Sequence, residues 1–77
     1  MNIMSLRKAR INGLVEYVRG LKKPTRKYSV VNGYSYTSGI SVRTVREYIR
    51  VLVGIGAFES YKPENDRWAE YIRMSQA

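Results

Sequence analysis

Tyr28-Ser29-Val30-Val31-Asn32-Gly33-Tyr34-Ser35-Tyr36-Thr37 is the stretch on which the fold turns. Two local structures compete for it. β-Branched and aromatic residues flank Asn32-Gly33, the dipeptide that a type I′ turn prefers, so local propensity favours a β-hairpin. A helix from about Ser29 to Ser38 instead sets Val31, Tyr34 and the small Ser35 at i, i+3 and i+4 towards a core. Gly33 inside that helix costs roughly 1 kcal/mol relative to Ala. Local signals leave both open, and the flanking segments bear on the choice.

Upstream, Ser5 to Gly20 carries Ile11, Leu14, Val15 and Val18, then Leu21, at the spacing of one helical face. Ser5 is the expected N-cap, and Gly20, Lys22, Lys23 and Pro24 are the expected stop. Downstream, Ser41 opens a second amphipathic helix, 42–53. Its apolar stripe is Val42, Val45, Ile49 and Leu52, with Tyr48 and Val53 alongside; Arg43, Arg46, Glu47 and Arg50 share the opposite face. Gly54 and Gly56 supply its termination.

Aromatic and β-branched residues on either side of Lys62-Pro63-Glu64-Asn65-Asp66 predict a β-hairpin over 57–73 with a five-residue turn. Its tip carries Lys62 and Asn65, with Arg67 just beyond, and Trp68 is expected to pack it onto the helices. A C-terminal helix from Asp66 to Met74 is the competing pattern. Without repeats or low-complexity tracts, residues 1–77 are expected to form a single domain.

Composition narrows the function. The 77 residues hold 14 Lys plus Arg against 6 Asp plus Glu, a net charge of +8, with no Cys and no His. That removes the imidazole base, the thiolate nucleophile, disulfides and Cys/His zinc sites, leaving carboxylates, lysines and hydroxyls. A binding module is expected rather than an enzyme, with no cofactor and no metal. The longest apolar run, Val51 to Phe58, contains two glycines and falls short of the roughly 20 residues of a membrane helix. The basic first twenty residues have the apolar pattern of a packed helix rather than of a targeting segment. The chain is therefore expected to be soluble and intracellular. So small a core gains stability from a partner subunit or a ligand.

The run from Thr37 to Glu59 resembles the helix-turn-helix core of winged-helix DNA-binding proteins. In that family a Gly-Ile/Val-Ser turn precedes a recognition helix with apolar residues at the second, fifth and ninth positions from the Ser, then a Leu, then a Gly that begins the wing. Here these are Gly39-Ile40-Ser41, Val42, Val45, Ile49, Leu52 and Gly56. The resemblance implies an α+β winged helix-turn-helix fold, three helices with a C-terminal β-hairpin wing. It also implies a helix ending just before Gly39, which favours the helical reading of 28–38, with Ser35 as the small residue where two helices cross.

Through the resemblance, helix 42–53 is expected in the major groove of double-stranded DNA, the hairpin 57–73 as wing, and the protein as a transcription regulator binding a specific sequence. Arg43, Thr44 and Glu47 are the candidates for base edges, because the Arg fork pairs with guanine O6 and N7. Arg46 and Arg50 are expected to straddle base and backbone. Ser38 and Ser41 lie at the turn, where a hydroxyl or amide meets phosphate at the positive end of a helix dipole. Lys62, Asn65 and Arg67 are candidate wing contacts. Arg7, Lys8, Arg10, Lys22, Lys23, Arg26 and Lys27 extend the positive field. A homodimer is implied, with Ile3, Met4, Leu6 or the C-terminal strand as candidate interfaces.

Other readings compete. The α-helical arginines can form a solvated face paired internally, for instance Arg43 with Glu47. Most of the seven tyrosines are expected as core filler. If the Asn32-Gly33 hairpin forms, Tyr28, Tyr34 and Tyr36 become a stacking platform for RNA or a single strand. A third possibility is a protein-interaction winged helix. Glu64-Asn65-Asp66 lacks the ligands of a calcium loop, and Gly54-x-Gly56 follows a helix, not the strand a nucleotide fingerprint needs.

Overall fold

In the computed structural model, which describes residues 3–76 and the side chains from Leu6 onward, the decisive stretch is helical. The order is α1 (Ile3–Leu21), β1 (Thr25–Arg26), α2 (Lys27–Ser38), α3 (Val42–Gly54), β2 (Phe58–Tyr61) and β3 (Tyr71–Met74). The fold is α+β: three helices and one antiparallel sheet of strand order β1-β3-β2.

Tertiary packing overrides the turn propensity of Asn32-Gly33. Val30, Val31 and Tyr34 are buried on α2, and Asn32 turns its side-chain amide back to the Tyr28 carbonyl at 3.0 Å. Gly33 lies where α2 crosses α1. A Cβ built there would fall on the Tyr17 hydroxyl, and one built at Gly13 would sit 2.5 Å from the Tyr34 hydroxyl. The two tyrosine rings meet at 5.6 Å between centroids. The two glycines thus admit the close approach that the expectation had assigned to Ser35. The Ser35 hydroxyl instead donates to the Ile40 carbonyl in the turn at 2.6 Å.

The turn forms as its residues predict. Gly39 takes a left-handed φ of 77° and donates its N–H to the Ser35 carbonyl, a conformation that costs glycine little. Ile40 is buried, and the Ser41 hydroxyl caps α3 by accepting from the Thr44 amide at 3.3 Å. Such a cap is worth about 1 kcal/mol. Val45, Tyr48, Ile49 and Leu52 are buried against Leu14, Val18, Phe58 and Ile72, so one stripe from each helix and one residue from each of β2 and β3 close a single core.

Several boundaries differ from expectation. α1 begins at Ile3, so Ser5 lies inside it, and the chain passes through Gly20 to Leu21, where Lys22 takes the left-handed φ of 60°. Strand β1 was not foreseen; its two residues pair with Tyr71 and Ile72, and two residues are too few for a period to register. The predicted hairpin over 57–73 is shorter than expected: β2 and β3 pair antiparallel with Phe58 opposite Met74 and Tyr61 opposite Tyr71, leaving residues 62–70 as the connection. Turns at Pro63–Asp66 and Asp66–Ala69 hold this segment out of the ladder. Arg67 and Trp68 therefore belong to the connection, and Trp68 is 98% exposed rather than packed on the helices. The competing helix over 66–74 is absent.

Of the seven tyrosines, only Tyr34 and Tyr48 are buried, so the expectation of core filler fails for most. The C-terminal strand β3 is central in the sheet, with neighbours on both sides at Tyr71 and Ile72, so it offers no free edge there to a second copy. Of the other proposed interface residues, Leu6 is exposed, and the side chains of Ile3 and Met4 lie outside the described ones.

Candidate nucleic-acid interface

The apolar stripe of α3 faces the core, which turns Arg43, Arg46, Glu47 and Arg50 outward, all exposed. Among the described residues, five of the six acids are paired: Glu16 with Arg19, Asp66 with Arg26, Glu70 with Lys27, Glu47 with Arg50 and Glu59 with Arg73. The cations outside these pairs are Arg7, Lys8, Arg10, Lys22, Lys23, Arg43, Arg46, Lys62 and Arg67. On α3 the acid that was expected beside Arg43 lies 3.7 Å from Arg50 instead. Arg43 and Arg46 are left as unneutralised charges on successive turns, two residues past the Ser41 cap in the case of Arg43.

Ser38 and Ser41 are less available than the sequence suggests. The Ser38 hydroxyl donates to the Tyr34 carbonyl at 2.6 Å and accepts from the Ile40 amide at 3.1 Å. The Ser41 hydroxyl accepts from the Thr44 amide and donates to the Thr44 hydroxyl at 2.9 Å. Their direct role is local: they build the turn. The N–H groups of Val42 and Arg43, as those of the first two residues of a helix, have no intrahelical acceptor. Thr44 is half-buried, with its hydroxyl on Ser41.

Lys62, Asn65 and Arg67 are exposed along the 62–70 connection. That connection is held close to the start of α2. The Asp66 carboxylate accepts from Arg26 at 2.7 Å and from the Tyr71 hydroxyl at 3.5 Å, and the Lys27 amide donates to the Glu70 carbonyl at 2.8 Å. The Tyr71 hydroxyl and then the Asp66 carboxylate hold the Arg26 guanidinium more firmly protonated than usual. Behind this tether an open groove of about 410 Å³ runs between Tyr28, Arg46 and Trp68. Arg46 also borders a neighbouring groove with Glu47, Arg50 and Glu70.

The exposed Tyr28 and Trp68 were not singled out for this surface by the sequence. They are brought to one groove by the β1–β3 pairing, which leaves no trace in local spacing. The tyrosine platform expected from the hairpin does not exist: Tyr34 is buried, while Tyr28 and Tyr36 are exposed on a helix rather than a sheet.

Among the described residues no group of three or more His, Cys, Asp or Glu could hold a metal ion, and no helix is long and apolar enough to cross a membrane. Comparison with protein-family models, with curated proteins and with solved structures finds no match to this chain.

Proposed function

We propose that this chain is a winged helix-turn-helix protein that binds double-stranded DNA, with α3 entering the major groove and the β2–β3 connection acting as the wing. The observation that carries the reading is the pair Arg43 and Arg46: exposed, without a carboxylate partner among the described residues, and on successive turns of a helix whose other face is buried. Guanidinium forks at that spacing suit guanine edges and phosphates. The Gly39-Ile40-Ser41 turn, the free amides of Val42 and Arg43, and exposed Lys62, Asn65 and Arg67 support the same reading. Glu47 adds an acceptor for cytosine N4, and Arg50 a phosphate contact when it leaves Glu47.

A role as an intracellular transcription regulator, working as a homodimer on a near-palindromic site, follows from this proposal. Two copies would set their α3 helices about one DNA turn apart. The positive charge away from α3 raises affinity for any duplex without reading sequence.

Selection of bound duplexes from a random library, followed by a salt series, tests the reading. Affinity should fall steeply with salt; Arg43→Ala should blur the selected sequence, whereas Lys23→Ala should weaken all sites alike. Undiminished selection by Arg43→Ala would sink the base-reading role.

A further inference from the structure

Trp68 is the chain's only tryptophan and, among the described residues, the most exposed large apolar side chain, at 98%, with Tyr28 at 75%. Exposed Trp and Tyr side chains are enriched at interfaces, where they bring large apolar area with a polar handle. The position of Trp68 is held. The Asp66–Ala69 turn that presents it is closed by a 3.3 Å backbone hydrogen bond and anchored to the end of β1 through Arg26–Asp66 and to the start of α2 through Lys27–Glu70. Trp68 and Tyr28 border one groove with Arg46, a cation without an acidic partner among the described residues, and Asn32. The Asn32 amide nitrogen donates to the Tyr28 carbonyl, which ties two of the residues that line the groove to each other.

We infer that this groove binds an unpaired base of a nucleic-acid strand, stacked on Trp68 and Tyr28 with its phosphate at Arg46. The occupant must offer flat π surface and negative charge together, and a nucleotide does both. The volume of about 410 Å³ falls within the range of small-molecule sites. Aromatic stacking is indifferent to base identity, so this site contributes affinity for strand ends, overhangs or extruded bases rather than sequence selection. It goes beyond the duplex reading and does not depend on it.

Trp68 emission reports on the groove directly. Titration with a single-stranded oligonucleotide should quench it, and labelled-strand anisotropy should show Trp68→Ala and Tyr28→Ala each weakening the single strand about five-fold or more. Both side chains are exposed, so neither change should disturb folding, which circular dichroism checks. A blunt duplex of the same sequence, run in parallel, should bind Tyr28→Ala, which lies outside the proposed wing and α3, within about two-fold of the parent. Emission unchanged at a saturated single strand, or both variants binding it like the parent, overturns the inference, as does quenching by a proline-rich peptide but not by the oligonucleotide. Single-strand quenching without blunt-duplex binding would overturn the duplex proposal and leave this one standing.

Discussion

The Tyr34 hydroxyl reaches from α2 across Gly13 to donate a 2.7 Å hydrogen bond to the Arg10 carbonyl of α1. Tyr17 returns the contact, laying its own ring over Gly33. This reciprocal crossing holds the first helix to the second, and so to the helix-turn-helix unit that carries the arginines.

Gly13→Ala gains about 1 kcal/mol of helix propensity. It also drives a methyl into a hydroxyl that is tied to Arg10, and overpacking of this kind costs about 1–3 kcal/mol. A net loss of up to about 2 kcal/mol is expected. Gly33→Ala should cost less, because Tyr17 is only half-buried and can swing aside. Tyr17→Phe should convert Gly33→Ala from a loss to a gain. Urea midpoints at constant m value measure all of these; a Gly13→Ala protein more stable than the parent would rule out the close crossing.

Burial, and secondarily Tyr48, pushes the Tyr34 phenol above its ordinary value of 10.0. The folded state holds the proton more tightly than the unfolded one, so the contribution is complete below the unfolded value and is lost as pH rises through the folded one. Stability should fall in alkali from about pH 10 upward, and more shallowly in Tyr34→Phe. That variant should itself cost about 1 kcal/mol at neutral pH for the lost hydrogen bond. Tyrosinate absorbance alongside urea melts is the measurement.

The hydrogen bond from Arg73 holds the Glu59 carboxyl below its ordinary value of 4.5. Here the sign reverses. The contribution is present above the unfolded value and disappears as pH falls through the folded one, so the loss lies in the acid range below about pH 4.5. Glu59→Gln should flatten that part of the stability profile and leave the alkaline limb unchanged. An acid limb identical to the parent's would remove the pair from the account.

Glu47 occupies Arg50 within the positive face of α3. On the duplex proposal, Glu47→Gln should tighten binding to random DNA and steepen the slope of log affinity against log salt by about 0.9, one further phosphate neutralised. Anisotropy in a salt series checks both; a shallower slope would mean that Glu47 does not restrain Arg50.

The two amphipathic helices, the Ser41 cap and the outward arginines were legible because each is a periodic or local property, and burial of Val45, Ile49 and Leu52 leaves Arg43 and Arg46 only one direction to face. The fate of Asn32-Gly33 was not. Its turn propensity is real, but the close α1–α2 crossing needs a residue without a side chain at position 33 and is met by a tyrosine seventeen positions into the chain. Likewise, β1 is too short to carry a pattern, and its pairing with β3 brings Tyr28 to the same groove as Trp68, while the turns of the 62–70 connection keep Trp68 out of the ladder. Sequence alone thus determined which faces are apolar and where the charge lies along the chain. Only the tertiary structure decided which glycine lies at a crossing, which acids neutralise Arg26, Lys27 and Arg73, and which aromatic rings stay in water, because each depends on contacts between residues far apart in the chain.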